Sequence, residues 1–168
     1  MMMKFWIEKC ASFGERRLVY NTVEYAFSTE PRPEGCVSSA SINELELMLD
    51  EEDGRVVFVA GYCPHTGWRA TAQLQPPDSY QACLHVDLEK YLVPGSSVSV
   101  DSKNERWPIL VDPVTGWIRL GKGNPREDRD GVEFAPGAIA VLSGGHLAAL
   151  WLHPEIEGSV EFQMGCPA

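Results

Sequence analysis

Residues 42–62 read INELELMLDEEDGRVVFVAGY, and the fold class follows from how this stretch alternates. Leu45, Leu47 and Leu49 fall on one side of an extended chain, and Glu44 and Glu46 on the other. That period of two belongs to a half-buried strand and not to a helix. DEEDG then reverses the chain, and RVVFVAGY returns as an almost unbroken apolar strand, so the whole reads as a β-hairpin.

The same two signals recur on both sides of this hairpin. Residues 107–121, WPILVDPVTGWIRLG, form a second hairpin around Asp112-Pro113-Val114-Thr115-Gly116, with proline and glycine where a tight turn uses them. Residues 137–153 form a third, closed by Ser143-Gly144-Gly145. YQACLHVDL sets Tyr80, Ala82, Leu84, Val86 and Leu88 against Gln81, Cys83, His85 and Asp87, and SSVSVDS, VEF and SVEFQM supply shorter strands. Helix is confined to two short segments, TVEYAF (22–27) and DLEKYL (87–92). TEPRPEGCVSSAS (29–41) and GKGNPREDRDG (121–131) read as loops. The expectation is one mainly all-β domain over residues 1–168, an antiparallel β-sandwich or barrel built from hairpins with at most one or two short helices. Its core is expected to contain Leu45, Leu47, Leu49, Val57, Val59, Leu84, Val86, Ile109, Val111, Ile118, Leu120, Ile139, Val141, Leu150 and Leu152.

Composition narrows the function classes. The net charge is −10, from 24 acidic and 14 basic residues, and such a surface repels nucleic acid and anionic membranes. No apolar run reaches the ~20 residues that span a bilayer, and the N-terminal residues lack the apolar core of a secretory signal, so a cytoplasmic protein is expected. Cysteines at 10, 36, 63, 83 and 166 are odd in number and irregular in spacing, which reads as free thiols and not as a disulfide framework.

Two Cys-x-His pairs, Cys63/His65 and Cys83/His85, offer the ligand types of tetrahedral zinc. Cys63-Pro64-His65, with 17 residues between His65 and Cys83, also resembles the first half of the Rieske iron–sulfur motif. The second half departs, because Cys83-Leu84-His85 has one intervening residue where the family has two. The second pair also sits inside an alternating strand and not on a loop. These four residues are therefore rejected as a metal site, and no cofactor is expected. SGGH (143–146) lacks the setting of a serine nucleophile, and GKGNP (121–125) matches no phosphate loop.

The remaining candidates concern binding. Glu44, Glu46, Asp50, Glu51, Glu52 and Asp53 place six acids and no base between residues 42 and 54, which is either a solvated turn or a docking surface for a basic partner. Trp68, Trp107 and Trp117 lie at turns, where they either cap the core or form a recognition surface. The preferred reading is a small acidic protein that binds another protein, a basic one by complementary charge, in the manner of an inhibitor or an immunity protein, and performs no chemistry of its own. One alternative is a ligand-binding or enzymatic barrel with Trp68, His85 and Trp107 around a pocket. The other is a zinc-binding domain.

Overall fold

The computed structural model describes residues 2–10, 13–91, 93–101, 103 and 105–158. In chain order the strands are β1 (Phe5–Glu8), β2 (Arg17–Asn21), β3 (Ala26–Glu30), β4 (Ser38–Ile42), β5 (Leu45–Leu49), β6 (Val56–Tyr62), β7 (Arg69–Ala70), β8 (Ser79–Gln81) and β9 (Cys83–Val86). The one-turn helix α1 (Leu88–Tyr91) follows, and then β10 (Ser97–Ser99), β11 (Ile109–Val111), β12 (Ile118–Gly121), β13 (Gly131–Ala135), β14 (Ala138–Ser143), β15 (His146–Leu152) and β16 (Glu155–Glu157).

All three hairpins form, as β5–β6, β11–β12 and β14–β15. They are gathered into two open seven-stranded sheets, ordered β10-β4-β5-β6-β3-β2-β16 and β7-β11-β12-β15-β14-β13-β8, with β1 and β9 as a separate pair. Each large sheet has five antiparallel strands at its centre and one very short parallel strand on each edge. Short edges leave little unpaired backbone to recruit another chain. The architecture is thus all-β, with sheets that do not close into a barrel. No described helix is long and apolar enough to cross a membrane.

One core draws on both sheets, with Leu45, Leu47, Leu49 and Val59 from the first against Ile118, Leu120, Leu150 and Leu152 from the second. Two smaller clusters lie elsewhere: Leu74, Ile139, Val141 and Trp151 in one, and Met48, Phe58 and Ala60 in the other. Ile139 and Val141 are buried as expected, but in the first of these smaller clusters, because Ala138 and Ala140 are the β14 residues that meet the main core. Val57 is a second difference. The β5–β6 register shifts between Met48 and Leu49, pairing Met48 with Phe58 and Leu49 with Val56. This bulge leaves Val57 as the extra residue, so Val56 and Val59 enter the main core and Val57 is only half-buried.

Other segments differ from expectation. Thr22–Tyr25 is a turn and Ala26 opens β3, so TVEYAF is not helical; Tyr25 has φ of 56°, which ends any helix there. Ser38–Ile42 is a buried strand and not a loop, because its hydroxyls are satisfied by neighbours: Ser38 Oγ donates to Glu51 and Ser39 Oγ to Glu46. YQACLHVDL is interrupted at Ala82. Tyr80 is exposed, whereas β9 is buried along its whole length because β1 lies beside it. Cys10 and Cys83 are joined by a disulfide, which corrects the expectation of five free thiols; Cys36 and Cys63 are free. The SVEFQM strand and Cys166 lie outside the described residues.

Candidate functional site

The stretch YCPHTGW builds an aromatic cluster. After β6, Pro64 leads into a single 3₁₀ turn at His65–Gly67, which carries Trp68 inward until it is completely buried. Tyr20 lies at the centre: its hydroxyl donates to the Cys63 carbonyl at 2.7 Å, accepts from the His65 backbone N–H at 3.0 Å and lies 3.2 Å from His65 Nδ1. Phe27 and Trp68 each pack 4.8 Å from the Tyr20 ring, and Tyr25 stacks on His65 at 5.0 Å. Burial pushes the Cys63 thiol up to about 12 although the Trp68 side chain donates a hydrogen bond to it, and burial lowers the pKa of His65. A thiol in that state is neither a nucleophile nor a ready ligand.

The second pair is built differently. Cys83 is consumed by its bond to Cys10. His85 is nearly buried under Trp6, whose ring lies parallel to it at 5.5 Å. Its Nε2 is 3.4 Å from Glu8 Oε2, and its Nδ1 is 3.3 Å from the Asp53 carbonyl oxygen. His85 is therefore a peg that joins three chain segments, not a residue of a polar sheet face. Among the described residues, no group of three His, Cys, Asp or Glu side chains is placed to hold a metal ion.

The peg decides what the acidic run becomes. The strands that carry it, β5 and β6, lie in the middle of their sheet and not at an edge. Most of its acids bond within the chain. Glu44 pairs with Arg106 at 2.6 Å, and that hydrogen bond holds its carboxyl below the usual range. Glu46 accepts from Ser39, and Glu51 accepts from the Val37 and Ser38 backbone N–H groups. Asp50 and Asp53 cap the turn through the backbone N–H groups of Glu52 and Arg55. The turn itself docks on β9, where the Val86 N–H donates to the Gly54 carbonyl at 2.9 Å. Gly54 has φ of 73°, and a Cβ there would sit 2.0 Å from the Val86 oxygen, so only glycine allows this approach.

The result is a face that residue order does not reveal. Glu52 and Asp53 at the turn, Asp87 just past β9, and Trp6 and Glu8 on β1 are all exposed and lie on the His85 side, whereas Ile7, also exposed, sits opposite Leu84 on the other side of β1. Trp6 is 40% exposed, and its indole N–H donates to Glu8 at 3.2 Å. Glu8, Glu52, Asp53 and Asp87 give the face four carboxylates, with Lys9, Lys90 and Arg55 nearby in the chain and Arg16 beside Cys83 and Arg55.

The turn tryptophans lie elsewhere. Trp68 and Trp107 are buried, and Trp107 is pinned by reciprocal bonds with Asn43: its N–H donates to Asn43 Oδ1 at 2.9 Å and its carbonyl accepts from Nδ2 at 3.1 Å. Trp117 is half-buried against His153 at 4.7 Å. The expected pocket around Trp68, His85 and Trp107 does not assemble: a cleft of about 450 Å³ beside Cys63 has Trp107 in its wall but neither of the others. Sequence reasoning missed Trp6, Glu8 and Asp87. FWIE carried a strand's apolar content, but nothing in it announces a partner 79 residues away. Compared with known protein families and with curated proteins, the chain matches none.

Proposed function

We propose that this chain is a binding protein whose acidic, tryptophan-bearing face around His85 takes a basic protein partner, as inhibitors and immunity proteins do. The observation that carries the reading is the convergence on one buried histidine of the acidic turn, Glu8 and the exposed Trp6 ring. A partly exposed tryptophan can anchor an interface, and its ring face also attracts lysine or arginine side chains. Carboxylates around it raise the association rate of a cationic partner and oppose polyanions. Its chemistry is that of recognition, with no cofactor and no substrate turned over. The reading places the chain in the cytoplasm. Because a reducing cytoplasm would hold Cys10 and Cys83 as thiols, association is to be measured with and without reductant.

A displayed library of random peptides selected against the intact chain tests the proposal. Selected peptides are expected to be enriched in Lys and Arg and to bind Trp6→Ala at least about tenfold more weakly, as loss of an anchor of about 1.4 kcal/mol or more implies. The variant Glu52→Lys, Asp53→Asn, Asp87→Asn keeps both local caps and removes four units of negative charge. It is expected to slow association and flatten its salt dependence, since such charges act on the on-rate. Glu51 is left alone because it holds the start of β4. Peptides without basic enrichment, or an unchanged on-rate and salt slope in the charge variant, would defeat the proposal.

A further inference from the structure

The loop 121–131 is neutral in sequence, with Lys122, Arg126 and Arg129 balancing Glu127, Asp128 and Asp130. The fold sorts these charges. Arg126, Asp128 and Arg129 line a cleft of about 620 Å³ beside the 71–77 segment, and Glu127 and Asp130 do not. Behind Asp128 stands the buried Arg119, whose Nε and Nη2 donate to the Asp128 carboxylate at 2.8 and 3.1 Å. The indole N–H of Trp151 donates to the same carboxylate at 2.7 Å. Both Asp128 oxygens are thereby engaged, which leaves three guanidiniums to one carboxylate in a molecule whose net charge is −10.

The loop that carries the two outer arginines is held in place. Arg119 also donates to the carbonyls of Gly121, Lys122 and Gly123, which fixes the loop. Asn124 Oδ1 accepts from the Arg126 N–H at 3.0 Å. Arg129 Nη1 donates to the carbonyls of Arg126 and Asp128, so its Nε and Nη2 remain as donors. Among the described residues, the ion pairs involve Arg17, His85, Arg106, Arg119 and Lys122, and neither Arg126 nor Arg129 has a carboxylate partner. The rest of the lining sets Leu110, Pro76, Pro77 and the buried Leu74 beside the polar Thr71, Gln73 and Gln75.

From this geometry we infer that the cleft is a binding site for a small carboxylic acid with an apolar body. The carboxylate sits between the Arg126 and Arg129 guanidiniums, whose planar forks match it, and the carbon skeleton lies against the proline–leucine side. The volume falls in the range of small-molecule sites, and a loop fixed beforehand has little entropy left to lose on binding.

The test is an NMR titration of the intact chain with 3-phenylpropionate, its neutral amide and inorganic phosphate. The acid is expected to shift the Trp151 indole N–H and the arginine Nε–H signals saturably, with the amide and phosphate each at least tenfold weaker. In Arg126→Gln/Arg129→Gln the acid is expected to lose at least tenfold in affinity. Trp151 bonds to Asp128 and not to either replaced residue, so its retained signal reports an intact fold. No saturable shift, an amide or phosphate that binds as well as the acid, or undiminished binding by the double variant would each overturn the assignment.

Discussion

Replacing Arg119 by leucine offers the sharpest test of how this molecule is held together. Arg119 is 1% exposed and Asp128 is 9% exposed, so the substitution leaves a carboxylate largely out of water with the Trp151 N–H as its one remaining hydrogen bond. Breaking a buried pair from one side costs about 3–5 kcal/mol, most of it the burden of the abandoned charge. The carbonyls of Gly121, Lys122 and Gly123 also lose their donor, but they belong to a loop that water can reach. For a chain of this length that loss corresponds to a fall in melting temperature of roughly 6–20 °C. Asp128→Leu strands the guanidinium in the same way and is expected to cost a similar amount. The double variant Arg119→Leu/Asp128→Leu strands neither charge. Its main loss is the acceptor for Trp151, worth about 1–3 kcal/mol, so it is expected to be more stable than either single variant. Urea unfolding followed by tryptophan fluorescence reads all three, provided that the slope with denaturant is common to them. A single variant that loses less than about 1 kcal/mol, or a double variant whose loss equals the sum of the singles, would refute the claim that this pair holds the loop through mutual burial.

Cys63 and Asp112 supply two further checks. With its thiol pushed up to about 12 by burial, Cys63 is expected to be alkylated by iodoacetamide at pH 8 roughly a thousandfold more slowly than an ordinary thiol. Peptide mass spectrometry of the folded protein measures this, and labelling of Cys63 as fast as in urea would contradict the buried aromatic cluster. At Asp112 burial favours the neutral acid, but hydrogen bonds from the backbone N–H groups of Val114, Leu74 and Thr115 prevail and hold the carboxyl below its ordinary 3.8. A folded-state pKa below the unfolded one stabilises fully above that ordinary value and is lost as pH falls through the folded one. Asp112→Asn is therefore expected to be less stable at pH 7 and to show a shallower loss between pH 5 and 2, and parallel curves would show that the carboxylate contributes nothing.

How much of this was legible depended on whether a feature was local. The three hairpins were readable because alternation and turn residues lie within about 20 positions of each other. β4 was not, since SSAS has the composition of a linker and becomes a strand only when Glu46, Glu51 and Ser97 satisfy its hydroxyls. Val57 was misplaced because a bulge changes the phase of a strand without changing its composition. The acidic turn was found by counting charge, but counting could not separate Glu51, which holds backbone, from Glu52, which is free of that duty. The burial of His85 and the face around it needed β1 laid on β9, a pairing that no local pattern encodes. The opposed charges of 121–131 were visible and looked neutral, because a sequence lists charges without saying which way they point.

The Cys10–Cys83 bond also sets how the molecule would bear mechanical load. Tension in the chain on either side of these residues passes through two sulfur atoms and skips the polypeptide between them, a separation of 73 positions. That bypassed span contains β2 through β8, including five strands of the first large sheet. Those strands cannot be extended along the backbone while the bond is intact, and load reaches them sideways, through the hydrogen bonds that β10, β16, β11 and β13 make to β4, β2, β7 and β8. At about 3.4 Å per extended residue, cutting the bond would release roughly 250 Å of hidden length. Oxidised, the chain is a short tether with a sheltered half; reduced, it is a long one.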